Sequence, residues 1–217
     1  MTLARTFAAA GIAILTMAAG GETQTAATQA PSPASSEAAA EAVIDAAAAQ
    51  LLAVLSNESL VGDERLHAIE QIIRQRFDLE KMSGFVLDGR NARRLSEKQL
   101  AVYTCEFKPY LSRFIGSRFG RYEQEQVEIL GAKTKKKGIV QVETRILGGR
   151  FDQGVVKFIL LQGGDGEWRA IDASFEGVSV VKNLRAQIKD ELEQGGPDHL
   201  LEMLREKNGA ASSCVEI

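Results

Sequence analysis

The sequence predicts an α+β domain: a four-stranded antiparallel sheet covered by helices. Three observations predict it. Apolar residues recur every three or four positions up to about Phe119. They alternate with polar ones from Val127 to Phe175, and the helical period returns after Gly177.

The elements follow in order. Residues 38–55 are Ala-rich, with Val43, Leu51, Leu52 and Leu55 apolar, and read as a helix. Asp63 is placed to cap a second helix to about Phe77, with Leu66, Ile69, Ile72 and Ile73 on one face. A short helix continues from Phe77 to Leu87, where Asp88-Gly89 breaks it. Ser96 with Gln99 three residues later forms a capping box for a long helix, in which Gly116 is a mild defect. Strands are expected around Val127 and Ile129, from Val140 to Ile146, from Val155 to Leu161 and from Trp168 to Phe175. The turns between them fall at Gly131 to Gly138, Gly148-Gly149 and Gly163 to Gly166. Val181, Leu184, Ile188 and Leu192 make a further helix, stopped by Gly195-Gly196-Pro197; Leu200, Leu201 and Leu204 mark the last one.

The start of the chain is of another kind. Arg5 precedes an apolar run from Phe7 to Ala19 and Gly20-Gly21, the pattern of a secretory signal peptide over residues 1–21. Residues 22–37, rich in Thr, Gln, Ala, Pro and Ser, read as a flexible linker; 38–208 is the folded domain and 209–217 a disordered tail. No run of about 20 apolar residues follows the N-terminus, which argues against a polytopic membrane protein.

Charge and aromatic residues are unevenly placed. Residues 90–137 carry twelve Lys/Arg against five Glu and no Asp, leaving −10 on the rest of a chain whose net charge is −3. A basic middle in an acidic protein suits anionic lipid or an acidic partner; it lacks the pervasive basicity of a nucleic-acid binder. Lys133, Lys135, Lys136 and Lys137 read first as a solvated hairpin tip, and second as a contact for headgroups or an acidic docking surface. Of thirteen aromatic residues, Tyr103, Phe107, Tyr110, Phe114, Phe119 and Tyr122 crowd one stretch, mostly on one helix face. Such a stripe reads first as core. Facing a sheet, it can also line an apolar pocket.

Signals of catalysis are sparse. His67 and His199 are isolated at polar helix positions. No Gly-x-Ser-x-Gly elbow or phosphate loop occurs, and neither a cofactor nor a metal is implied. Asp172 shares the alternation of Trp168, Ala170 and Ser174; it is a candidate general base on an enzyme reading, and a tether from the strand to the next helix on the favoured one. Cys105 within a helix and Cys214 in the tail read as a buried small side chain and a free thiol rather than a bridge.

The block from Trp168 to Arg185 (Trp168-Arg-Ala-Ile-Asp172-Ala-Ser-Phe-Glu176-Gly177-Val178-Ser179-Val180-Val181-Lys-Asn183-Leu-Arg185) resembles the signature of the MlaC, or toluene-tolerance, family. Gln187-Ile188, Gln194-Gly195-Gly196, Leu200-Leu201, Phe77-Asp78 with Lys81-Met82, and Phe119 with Tyr122 continue the likeness, while Leu184 and Asn91 depart from it. The resemblance implies an NTF2-like fold with a deep apolar pocket, and a periplasmic, non-enzymatic carrier of phospholipid. That carrier would shuttle between an outer-membrane lipoprotein complex and an inner-membrane ABC transporter complex; a hopanoid-linked branch stays open. By face and by this likeness, the lipid-binding residues are expected to be Phe85, Phe107, Leu111, Phe114, Ile115, Val142, Ile146, Phe158, Trp168 and Val178, with Asp172 and Arg185 as structural tethers.

Overall fold

A computed structural model describes residues 32–117, 124–209 and 214. The expected signal peptide lies outside the described residues, as do Phe119, Tyr122 and most of the tail. The described residues belong to one contact unit, Pro31–Ile217.

Four helices come first. The first, α1, spans Pro33–Ser56, with the Ser32 side chain capping it and Pro at its first position. It begins inside the stretch expected as linker, because Ser-Pro starts a helix that the following alanines propagate. The second, α2, spans Gly62–Arg76. Its cap residue is Val61, not Asp63, which instead sits in the first turn with Glu64, where the helix dipole favours acids. Phe77 is extended and bridges Ala170 in parallel, so the chain breaks there before α3 (Leu79–Ala92), capped by Asp78. Asp88 interrupts α3 with φ 54°, as Asp88-Gly89 suggested.

The capping box of Ser96 and Gln99 opens α4 (Glu97–Gly116) as expected. Pro109 lies within α4 and offers no N–H to the Cys105 carbonyl. Gly116 is less a defect than a fit. A Cβ there would meet Leu66 Cδ1 at 3.3 Å, Ile69 Cγ2 at 3.5 Å and Ile73 Cδ1 at 3.6 Å, so the missing side chain lets α2 approach α4.

The sheet has five strands, not four, in the order β1 (Gln126–Lys136), β2 (Ile139–Leu147), β3 (Val155–Gln162), β4 (Trp168–Phe175) and β5 (Val178–Ser179), all antiparallel. The added strand follows from Glu176 and Gly177, both at positive φ, which make the tight turn a hairpin needs. The turn expected over Gly131 to Gly138 is only Lys137-Gly138. Lys133, Lys135 and Lys136 belong to β1, an edge strand with two bulges, where exposed lysines discourage pairing with another sheet. A third bulge, at Ile171, changes the parity of β4. Trp168 and Ala170 pair with Gln162 and Leu160, whereas Asp172 and Ser174 pair with Ile159 and Lys157. Directly opposed residues share a face, so Asp172 does not point with Trp168 and Ala170 as simple alternation predicted.

The last helix, α5 (Val180–Asn208), is broken at Gly196 (φ 77°) ahead of Pro197, where the sequence placed a boundary between two helices. Two apolar cores result. The larger lies among α2, α3, α4 and α5 around Met82, Tyr103, Phe107, Leu184, Leu200 and Leu204. The smaller lies between α1 and one face of the sheet, where Ala40 and Ile44 cover Val140, Val142, Leu160 and Trp168. The opposite face carries Glu143 and Lys157, paired at 3.1 Å.

Candidate functional site

The ten residues expected around a pocket divide between the two cores and the surface. Phe107, Leu111 and Ile115 are buried in the helical core, and Phe114 packs against it. Val142 and Trp168 are buried in the sheet-face core, with Phe158 against it. Ile146 is half-buried on β2. Phe85 and Val178 are exposed, at 43% and 60%. The aromatic stripe is continuous within its helix: Tyr103 stacks on Phe107 at 5.1 Å, and Phe107, Tyr110 and Phe114 follow ring to ring. Burial pushes the Tyr103 hydroxyl well above its ordinary pKa; it donates to the Ser83 carbonyl at 3.1 Å.

The two cores meet at Phe77 and Phe158, whose rings stand edge to face with centroids 6.4 Å apart. Phe77 packs against the helical core and Phe158 against the sheet-face core. Beside Phe77 lies a cleft of about 380 Å³, lined by Arg74, Phe77, Asp78, Leu79, Glu80, Lys108 and Arg169. Its two apolar lining residues, Phe77 and Leu79, also pack in the helical core, and the other five carry charge of both signs.

Each element brings its own charge to the rim. The last turn of α2 supplies Arg74, the cap and first turn of α3 supply Asp78 and Glu80, α4 supplies Lys108 and β4 supplies Arg169. Lys108 Nζ lies 3.1 Å from Glu80, and Asp78 accepts from the Lys81 main chain and side chain at 2.9 Å each. Arg169 donates to Asp165 at 2.8 Å; that hydrogen bond raises the Arg169 pKa and lowers the Asp165 pKa. The Arg74 side chain has no hydrogen bond or ion pair among the described residues. Sequence reasoning missed this cleft, because its charges come from four elements and only Phe77-Asp78 fell in a recognisable motif.

Asp172 is not part of the cleft. Its carboxylate accepts from Ser179 Oγ at 2.6 Å and from the Val181 N–H at 3.1 Å, tying β4 to the start of α5. Arg185 donates through Nε to the Phe85 carbonyl at 2.9 Å, tying α5 to α3. Both act as the tethers expected of them. His67 contacts Gln71 and His199 contacts Glu191, both at exposed positions. Among the described residues no group of three or more His, Cys, Asp or Glu is placed to hold a metal.

The cysteines depart from expectation. Cys105, exposed on α4 rather than buried, is disulfide-bonded to Cys214 across 109 residues. Asn208, the last residue of α5, is 1% exposed and docked on α4. Gly209 has φ 52°, and Cys214 is bonded to Cys105 on α4. A separation that long leaves no pairing signal in the sequence.

A family model described as the MlaC protein matches residues 45–206. No curated protein sequence matches the chain. Among solved structures, the fold is similar to that of a phospholipid-binding protein from Ralstonia solanacearum determined in complex with a phospholipid. The TM-score is 0.66 and the identity 17%, over 79% of this chain and 97% of that one.

Proposed function

The chain belongs to the MlaC family, and from that premise we propose that it is an exported, soluble carrier of phospholipid. It holds acyl chains in its apolar interior and has no catalytic step. Its route runs between an outer-membrane lipoprotein complex and an inner-membrane ABC transporter complex, and its frame is of the NTF2-like kind. The family match over residues 45–206 carries this reading. The phospholipid held by a protein of similar fold adds to it.

Physical chemistry is consistent with the role. Moving acyl chain from water into an apolar interior gains about 0.8 kcal/mol per CH2. A carrier therefore needs apolar volume rather than a constellation of acids and bases. The ten residues from Phe85 to Val178 remain the proposed lining, drawn from both cores and, for Phe85 and Val178, from the surface. The disulfide between Cys105 and Cys214 fits an oxidising compartment, which supports export.

Native mass spectrometry of the full chain, purified from a bacterial envelope, tests the proposal. Phospholipid-sized adducts are expected. Repeated preparations that neither carry lipid nor take it up from vesicles would overturn it.

A further inference from the structure

The charged cleft is not needed to bury hydrocarbon. We propose that it is the seat of a zwitterionic phosphate-ester headgroup, with the phosphate on Arg74 and Arg169 and the ammonium against Glu80 and Asp78. This rests on the carrier reading and adds a lipid class to it.

Three observations carry the proposal. First, the cleft joins charge to grease. Phe77 and Leu79 line it and also pack in the helical core, and Phe77 meets Phe158 of the sheet-face core. A molecule whose polar end meets the charged residues has its apolar end against Phe77 and Leu79. An amphiphile matches that gradient; a wholly polar solute leaves the apolar lining unused.

Second, the Arg74 side chain has no hydrogen bond or ion pair among the described residues, although it faces the same cleft as Arg169 and Lys108. A guanidinium recognises a phosphate oxygen through paired donors. The neighbouring Arg169–Asp165 and Lys108–Glu80 pairs are partly exposed, and exposed pairs contribute little stability. They rearrange around a ligand at small cost.

Third, the rim is mixed. Asp78 and Glu80 stand among the cations, so a headgroup with only negative charge brings no cation to match these carboxylates. One that carries an ammonium beside its phosphate finds guanidinium donors for the phosphate and carboxylate acceptors for the ammonium. The headgroup of phosphatidylglycerol has hydroxyl donors but no cation for these carboxylates to attract.

The test uses the full chain stripped of lipid. It is offered an equimolar mixture of phosphatidylethanolamine and phosphatidylglycerol vesicles with the same acyl chains, and bound lipid is counted by mass spectrometry. Phosphatidylethanolamine is expected in about fivefold preference, the scale of one exposed charge contact. Glu80→Gln brings the ratio toward one. Arg74→Gln lowers uptake of both phospholipids about fivefold and leaves uptake of a free fatty acid unchanged. Titration with free phosphoethanolamine separates the sources: binding that shifts the Arg74 and Arg169 side-chain signals, without any lipid preference, supports the same headgroup chemistry from a soluble ester. Equal uptake of both lipids, indifferent to either substitution, and no shift with the free ester overturn the headgroup seat and leave the carrier reading intact. No uptake of any lipid overturns both.

Discussion

Asn208, at the end of α5, donates through Nδ2 to the Glu106 carboxylate at 2.8 Å and to the Glu106 carbonyl at 2.9 Å. Glu106 has no exposure, and Arg205 approaches its other oxygen at 3.8 Å. Arg113 of α4 returns a bond to the Asn208 carbonyl at 2.9 Å. The end of α5 is thus fastened to α4 by buried and part-buried polar contacts, and the Cys105–Cys214 bond lies next to Glu106 in sequence.

Opening that disulfide is expected to lower stability. Closing a loop of 109 residues restricts the unfolded chain, and native bridges of this kind are worth about 2–4 kcal/mol. Urea unfolding of the wild type, with and without a thiol reductant, and of the Cys105→Ser/Cys214→Ser variant checks this. The reduced protein and the variant should share a lowered midpoint. Midpoints equal to that of the oxidised wild type would count against the bridge.

Gly116→Leu is expected to destabilise the helical core. Even a Cβ stands 3.3 Å from Leu66, and the branched side chain has to displace Ile69 and Ile73, which are 2% and 3% exposed. Overpacking of this kind costs about 1–3 kcal/mol. Chemical denaturation reads the loss; an unchanged midpoint would show that α2 and α4 can separate freely.

The contrast between Gly116 and Cys105 shows what the sequence makes legible. Helix and strand periods, the capping box at Ser96 and the breaks at Asp88 and Gly196 are local and were readable. So were the tethering roles of Asp172 and Arg185, because they sit in a recognisable block. What depends on meeting across the fold was not: the Cys105–Cys214 bond, the approach of α2 to Gly116, and a cleft assembled from Arg74, Glu80, Lys108 and Arg169. The bulge at Ile171 is local, yet it leaves no period of its own, and it reversed the face of Asp172. Phe85 and Val178 are apolar and were expected inside, but the outer face of α3 and a hairpin strand leave them exposed.

Glu37 gives a pH-dependent prediction. Its carboxylate accepts from the Thr134 main chain at 2.6 Å, joining the first turns of α1 to β1. That hydrogen bond holds the Glu37 pKa below its ordinary value. A carboxyl lowered in the folded state stabilises above its unfolded pKa, about 4.3, and loses that contribution as pH falls through the folded value. Glu37→Gln should therefore unfold at a lower temperature than wild type at neutral pH, with the two curves converging in acid. A gap that persists unchanged well below pH 4 would point to lost packing instead.

Asp172 separates a structural role from a chemical one. Both of its oxygens are engaged, one by Ser179 Oγ and the other by the Val181 N–H, so the carboxylate spans the turn between β4 and α5. Asp172→Ala leaves those donors without their acceptor, at a cost of about 1–3 kcal/mol. Asp172→Asn keeps one acceptor oxygen and should fall between the alanine variant and wild type. Because neither bond faces the cleft, both variants should take up lipid to the wild-type stoichiometry wherever they remain folded. Thermal unfolding and lipid counts on the same samples decide the matter. A folded alanine variant of wild-type stability that fails to take up lipid would give Asp172 a role toward the ligand and remove it from the frame.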